Sequence, residues 1–256
     1  MTTDKNQTEP DAYWEKAGEV SHAQAMFVSG RVERHISLRL RGMAIDMSRE
    51  LGIESKGHVM DFGCGDGVFA NEVLARHFQA VDGFDKSEAA IRRARSTAGT
   101  ANVRFEVADL VKLDYSRLPA YDGAFLRGFL HHVKLATPTI IKALAAVTPR
   151  VVVLEPNGDN LIRKALEFTS SYQRRGEDSF RARELIGIFE SAGYSSRIWK
   201  RVNIFPNFTP EFLFRLLLPL EPRIEANFFL KALCTVNIFG FEKPGAVRPQ
   251  PRPGGR

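Results

Sequence analysis

The stretch Val59-Met60-Asp61-Phe62-Gly63-Cys64-Gly65-Asp66-Gly67 decides how this chain is read: an apolar run closes on an acid and then breaks into three alternating glycines. Glycines at that spacing let a chain turn tightly off a strand and let its backbone touch a bulky ligand, because no side chain stands in the way. The residues that follow, Val68 to Arg76, carry Val68, Phe69, Val73 and Leu74 on one helical face. The glycines therefore join a buried strand to a helix N-terminus, the setting in which such a turn cradles a cofactor.

Turns that bind dinucleotides read G-x-G-x-x-G, with a pyrophosphate resting on the helix N-terminus. Here the pattern is D-x-G-x-G-x-G: Val68 stands where the third dinucleotide glycine belongs, and Asp61 precedes the turn. A carboxylate in that place faces a pyrophosphate badly but suits a cation, so a nicotinamide-dependent oxidoreductase ranks last among the readings. The pattern closely resembles motif I of the class I S-adenosylmethionine-dependent methyltransferases of small-molecule type. The resemblance implies that Gly63, Cys64 and Gly65 wrap the amino-acid portion of S-adenosyl-L-methionine, with Asp61 near its ammonium group.

Further stations of the same resemblance follow in order. Residues 80–85 read as a second strand closing on Asp85, the position whose carboxylate in the family takes both ribose hydroxyls; Lys86 follows it. Two carboxylate oxygens can accept two hydrogen bonds at once, which suits that task. Ser87 is placed to cap a helix over residues 88–94. Residues 103–110 read as a third strand, and the resemblance sets Ala108, Asp109 and Leu110 against the adenine edge. Residues 121–126 read as a fourth strand, after which come Arg127, assigned to the cofactor, and the run Leu130-His131-His132-Val133, common in small-molecule methyltransferases. The implied fold is α/β: a Rossmann-like, seven-stranded, mostly parallel sheet with an antiparallel last strand, helices on both faces, N-terminal helices and a helical lid.

The chain of 256 residues has the composition of an ordinary globular protein. We expect a disordered N-terminus over 1–10, one methyltransferase domain over 11–243 and a disordered basic tail over 244–256. Within the domain, 11–52 forms a helical cap, 57–155 the cofactor-binding core, and 156–178 with 205–232 the lid insertions. Arg248, Arg252 and Arg256 of the tail supply half of the net charge of +6, and other basic residues such as Arg174, Arg175, Arg181 and Arg183 are interleaved with acids. No dense basic stripe remains to bind nucleic acid. Cys64 and Cys234 lie far apart and the N-terminus is polar, which together suggest reduced thiols in a cytoplasmic protein. A monomer or homodimer acting on a small-molecule substrate is expected.

Methyl transfer from a sulfonium is an in-line displacement, so a protein must chiefly align the reactants and manage one proton. His131 and His132, at the mouth of strand four, are the candidate bases, with Glu155 as second choice or as a partner orienting a histidine. Packing is the competing explanation for both histidines, as it is for His35 in an apolar-periodic helix. Glu155 and Asn157 end a fifth strand whose carboxyl end points toward the ligand side of an open sheet. Tyr13, Trp14 and Asn157 are candidates for the substrate pocket.

So are Phe208 and Phe212, in a segment rich in phenylalanine and leucine that is interrupted by prolines and Arg215. That segment is too broken to span a membrane, which needs roughly 20 apolar residues; peripheral association stays open. No His, Asp or Glu set has metal-ligand spacing, so no metal is expected. The leading function is methylation of a small or medium-sized, partly apolar metabolite, with oxygen favoured over nitrogen or carbon. The alternatives are a lipid, quinone or glycan-precursor methyltransferase and, from another class, a non-catalytic cofactor-binding regulator.

Overall fold

The computed structural model describes Glu15, residues 29–174 and residues 176–246. The expectations for Tyr13, Trp14, the disordered N-terminus and most of the basic tail lie outside the described residues. In chain order, helix α1 (Gly30–Glu50) leads to β1 (His58–Phe62), a π-helical turn (Ala70–Leu74) that continues as α2 (Ala75–His77), then β2 (Ala80–Asp85), α3 (Glu88–Ser96) and β3 (Val103–Val107). Next come β4 (Gly123–Arg127), α4 (Thr137–Leu144), β5 (Arg150–Pro156), α5 (Leu161–Glu167), α6 (Ser170–Arg174) and α7 (Ala182–Ser191). Strand β6 (Ser195–Val202), helices α8 (Glu211–Leu217) and α9 (Glu221–Ala226) and strand β7 (Val236–Glu242) complete the order.

The seven strands form one sheet in the order β3-β2-β1-β4-β5-β7-β6. The pairs from β3 to β5 are parallel, and β7 is antiparallel to both of its neighbours. This is the Rossmann-like architecture expected from the sequence. In β1, alternation sends Met60 and Phe62 to one face and Val59 to the other, and all three are fully buried. On the first face they meet Ile140 and Ile141 of α4 and Leu185 and Phe189 of α7. Met47 of α1, Leu51 and Ile91 of α3 close the second. Burying each such side chain contributes about 1.5–3 kcal/mol, and a strand covered on both faces must be apolar almost throughout. Asp61, the exception, sits where β1 ends and the chain leaves the core.

Two expected caps form: the Ser87 hydroxyl oxygen accepts the Ala90 N–H at 3.1 Å, and Gly193 ends α7 at φ +88°. Boundaries shift elsewhere. Strand three stops at Val107 rather than Leu110, the Ala108 N–H making the last bond to β2, at the Asp85 carbonyl (2.9 Å). The helix after the glycine turn is α-helical at Val68 and Phe69 and then widens into a π-turn over Ala70–Leu74.

The segment 205–233 packs on α1. Phe205 and Phe214 bury themselves with Val32 and Ile36. His35 Nε2 donates to the Glu221 carboxylate at 2.8 Å and meets the rings of Phe205 and Phe214 edge-on, the structural role expected of it. Arg39 bridges Glu221 (2.9 Å) and Glu225, and the hydrogen bond to Glu225 holds its pKa above the usual arginine value. Among the described residues no helix is long and apolar enough to cross a membrane.

Candidate functional site

The glycine turn adopts the shape that its spacing implies. The Gly63 and Cys64 N–H groups both donate to the Phe84 carbonyl, at 2.9 and 3.0 Å, which pins the turn to β2. Gly67 has φ +72°, and a Cβ there would stand 2.6 Å from the Ala94 Cβ, so this glycine is required for packing against α3. Gly65 also lies in the left-handed region, at φ +54°, but a Cβ there would meet nothing within 4 Å. The open side of Gly65 faces a cavity of about 350 Å³, whose lining includes Asp61, Gly63, Cys64, Gly65 and Arg127. Thus one glycine serves the fold, and another leaves backbone accessible to a ligand.

Asp61 is 2% exposed, and its Oδ2 has no hydrogen-bond partner among the described residues. Burial pushes its pKa up to about 7, against the pull of Arg127, with Asp85 and Asp66 adding to the rise. A buried carboxylate oxygen left without a donor is costly unless a ligand supplies one. Arg127 lies over the Phe69 ring, 4.3 Å from its centre, and desolvation pulls its pKa down while Asp61 opposes. Cys64 is buried, and burial with nearby carboxylates holds its thiol well above the ordinary value, so it fills space in the turn and is no nucleophile.

Asp85 closes β2 at the neighbouring strand end. Its two carboxylate oxygens accept the N–H groups of Gly65 (2.8 Å) and Ser87 (3.0 Å). Burial raises its pKa despite those two donors. Each oxygen keeps a lone pair after one such bond, so the carboxylate can still accept two hydroxyls. Ala108 and Leu110 are buried just past β3, Asp109 is half-buried and accepts the Val111 N–H at 3.0 Å, and Lys86 is exposed. None of these five residues lines the 350 Å³ cavity; they lie at the ends of β2 and β3. Glu15 accepts the Ala89 N–H at 3.0 Å, bringing the N-terminal part of the chain to the start of α3. No residue pattern signals that contact.

The histidine pair lies elsewhere. Neither His131, His132 nor Glu155 lines the cavity at Asp61; both histidines line a second one, of about 300 Å³, with Val111, Lys134, Gly176 and Asp178. Glu155, 1% exposed, accepts three hydrogen bonds: the Phe129 and Leu130 N–H groups, both at 2.9 Å, and His131 Nδ1 at 2.6 Å. His131 Nε2 faces Glu177 Oε2 at 3.4 Å, and Arg163 holds that same Glu177 oxygen. Burial alone would lower the His131 pKa, but Glu155 and Glu177 outweigh it and push it up to about 9. Burial would raise Glu177, yet His131 and Arg163 hold it far below the usual carboxylate range. At neutral pH His131 is an imidazolium between two carboxylates, with both nitrogens protonated and no lone pair for a base. Glu155 holds His131 through the bond to Nδ1.

The structure also draws in a residue that the sequence could not single out. Glu177, 46 positions after His131, joins His131 and His132 so that one ligand atom from each lies within 4.8 Å of the others. The expectation of no metal rested on spacing along the chain, and chain spacing does not report this convergence.

Two expected pocket residues turn away. Asn157 is fully buried: its Nδ2 donates to the Cys234 carbonyl (2.8 Å), while its Oδ1 accepts from Asn237 Nδ2 and the Asp159 N–H, both at 3.1 Å. It ties β5 to β7 and faces neither cavity. Phe208 and Phe212 are 48% and 74% exposed and line neither cavity, because Phe205 and Phe214 take the inward positions. The residues of α1 that do line the Asp61 cavity, Glu33, Arg34, Ser37, Leu38 and Arg41, were not identified from sequence. Apart from Leu38, these are polar residues, which on a half-buried helix look like an ordinary solvated face.

A family described as a methyltransferase domain matches residues 34–197. The chain belongs to that family. No curated protein sequence matches it. Among solved structures, the 4+2 cyclase SpnF is 17% identical with a TM-score of 0.65, over 93% of this chain and 97% of that one. The N-methyltransferase NodS from Bradyrhizobium japonicum WM9, in complex with S-adenosyl-L-homocysteine, is 14% identical with a TM-score of 0.62, over 93% of this chain and 100% of that one. Magnesium protoporphyrin IX methyltransferase from Synechocystis PCC 6803, with bound S-adenosylhomocysteine, is 16% identical with a TM-score of 0.61, over 91% and 94%. At these identities the likeness shows the fold alone, and SpnF makes the point that one fold carries more than one chemistry.

Proposed function

We propose that this protein is an S-adenosyl-L-methionine-dependent methyltransferase acting on a small or medium-sized, partly apolar metabolite, with oxygen the favoured acceptor. The observation that carries the reading is Asp61: a buried carboxylate oxygen without a donor, at a cavity floored by the open backbone of Gly65. That arrangement suits an ammonium group lying against a glycine turn, and family membership supports it. Gly63, Cys64, Gly65, Asp61 and Arg127 would hold the amino-acid portion, and Asp85 the ribose. Ala108, Asp109 and Leu110 would hold the adenine, with Lys86 at the rim. Bound there, the cofactor supplies an electrophilic methyl group on a sulfonium centre.

The chain's own contribution is alignment. Glu155 and His131 act as positioning residues, fixing the loop after β4 through the Phe129 and Leu130 N–H groups. Phe129 is the side chain a Cβ on Gly63 would strike, at 2.8 Å, so this loop also sets the glycine turn from behind. His132, half-buried, lines the second cavity and not the one at Asp61, so no proton transfer is assigned to it here. Calorimetry with S-adenosylhomocysteine tests the reading: saturable binding that is lost in Asp85→Ala is expected, and no binding by the unmodified protein would end it.

A second reading, a lipid, quinone or glycan-precursor acceptor, is favoured by the segment 205–233. Phe212, Phe228 and Phe229 are 74%, 74% and 79% exposed, and Arg215 and Arg223 are exposed beside them. Glu221 and Glu225 turn inward and pair with Arg39, while Glu211 stays partly exposed between Arg31 and Arg215. Exposed aromatic rings beside arginines, with two of the segment's acids turned inward, suit an anionic, apolar interface. Co-sedimentation with anionic vesicles, lost in Phe212→Ser with Phe229→Ser, is the expected result for this reading. Equal recovery with neutral, anionic and no vesicles would remove it.

A further inference from the structure

The second cavity carries chemistry that methyl transfer does not require. It is lined by the buried His131 and the half-buried His132, whose ring centres lie 3.9 Å apart, and the buried Glu177 joins them, one ligand atom of each of the three lying within 4.8 Å of the others. The distance between His131 Nε2 and Glu177 Oε2, 3.4 Å, is long for an ion-paired hydrogen bond, which prefers about 2.7–2.9 Å. It equals the edge of a tetrahedron whose centre lies about 2.0–2.1 Å from a histidine nitrogen and a carboxylate oxygen, the bond lengths of zinc. The other nitrogen of His131 contacts Glu155 at 2.6 Å, and Glu155 is anchored in turn by two backbone N–H groups. A carboxylate behind a histidine is the usual support of a ligating imidazole, because it fixes the tautomer and aims the other nitrogen at the ion.

We propose that His131, His132 and Glu177 form a binding site for a divalent transition metal ion of the zinc class, with Glu155 as the carboxylate that orients His131. Three protein ligands leave a fourth position, and it faces the cavity lined by Val111, Lys134 and Asp178. A water molecule or an oxygen or nitrogen of a small molecule completes the shell there. On coordination His131 Nε2 gives its proton to solvent and keeps Nδ1–H on Glu155. Arg163 remains on Glu177 Oε2 as a hydrogen-bond donor behind the ligand. The charges of Glu155 and Glu177 offset those of the ion, and Arg163 is paired in turn with Glu167. His132 then serves as a ligand and not as a base. The site stands apart from the Asp61 cavity, with which it shares no lining residue, so the proposal does not depend on the identity of the cofactor.

The test uses the full, untagged chain stripped with a chelator and titrated with Zn²⁺ by calorimetry and with Co²⁺ by visible absorption. One equivalent of each ion is expected, Co²⁺ giving the intense ligand-field bands of a four-coordinate site, with a rise in melting temperature on Zn²⁺ addition. His132→Ala, at a half-buried position, and Glu177→Gln should each weaken binding at least tenfold, and Glu155→Gln about 10–100-fold. Circular dichroism of each variant checks that it is folded; should Glu177→Gln fail to fold, His132→Ala decides. Absence of saturable binding by the unmodified protein overturns the proposal, as does binding that survives His132→Ala at full strength, which would place the ion on another of the six histidines. Binding of S-adenosylhomocysteine, measured in the same samples, reports separately on the methyltransferase reading.

Discussion

Two carboxylates end neighbouring parts of the same sheet, and they are partnered in opposite ways. Glu155, at the end of β5, accepts three hydrogen bonds. Asp61, at the end of β1, leaves Oδ2 without one among the described residues. Both are almost completely buried, at 1% and 2% exposure, so burial alone does not separate them. Satisfaction does. A buried carboxylate with every acceptor site filled is framework, because removing it strands its donors. One held ionisable and under-satisfied stores a binding preference that a cationic ligand releases.

The largest expected effect is on the framework side. Glu155→Ala leaves the His131 imidazolium and two backbone N–H groups without their acceptor, and breaking a buried pair this way costs about 3–5 kcal/mol. Denaturant unfolding should show that loss, while S-adenosylhomocysteine affinity in the fraction still folded should fall less than in Asp61→Asn. Equal loss of affinity would erase the distinction between the two carboxylates. Gly67→Ala follows, since it forces a left-handed φ of +72° on a residue with a Cβ and drives that Cβ into Ala94. We expect a destabilisation of about 2–4 kcal/mol from strain and overpacking together. Gly65→Ala, with open space before it, should cost only about 1–2 kcal/mol in folding, its main effect being weaker cofactor binding. A larger folding loss at Gly65 than at Gly67 would contradict the division of labour between the two glycines.

Asp61→Asn should behave in the opposite sense to Glu155→Ala. Removing a buried charge that lacks a full set of donors is expected to raise the melting temperature at pH 8 by roughly 2–4 °C. Cofactor affinity should fall about tenfold or more, equivalent to about 1.4 kcal/mol. The smallest effect is the pH dependence of the unmodified protein. Asp61 binds its proton more tightly folded than unfolded, so its contribution to stability is full at acid pH and is lost as pH rises through about 7. Cofactor affinity should run the other way, weakening by up to about tenfold per pH unit below 7, because only the ionised carboxylate attracts an ammonium. Calorimetry between pH 6 and 8 checks this, and a flat profile would show that Asp61 does not face the ligand's charge.

The cofactor turn was legible because its requirements are local. Asp61, Gly63, Gly65 and Gly67 need particular backbone angles and an absence of side chains within nine residues of chain, and such needs are written in residue type. Ser87 as a cap and Gly193 as a helix stop were legible for the same reason. The α1 residues lining the cavity were hidden, because a polar side chain facing a cavity and one facing solvent look alike in sequence. Phe205 and Phe214 could not be told from Phe208 and Phe212, since the irregular segment between them has no period that fixes which face turns in.

By itself, then, the sequence determined the sheet, the strand-turn-helix proposed to meet the cofactor and the acids that flank it, since each depends on short-range sterics and hydrophobic alternation. The tertiary structure decided which acids are satisfied. It gave Glu155 its three donors and left Asp61 wanting one, and it carried Glu177 across from a distant loop to face His131. Hydrogen-bond satisfaction is a property of all the groups that converge on a point, and those groups are set by the folded chain and not by their spacing along it.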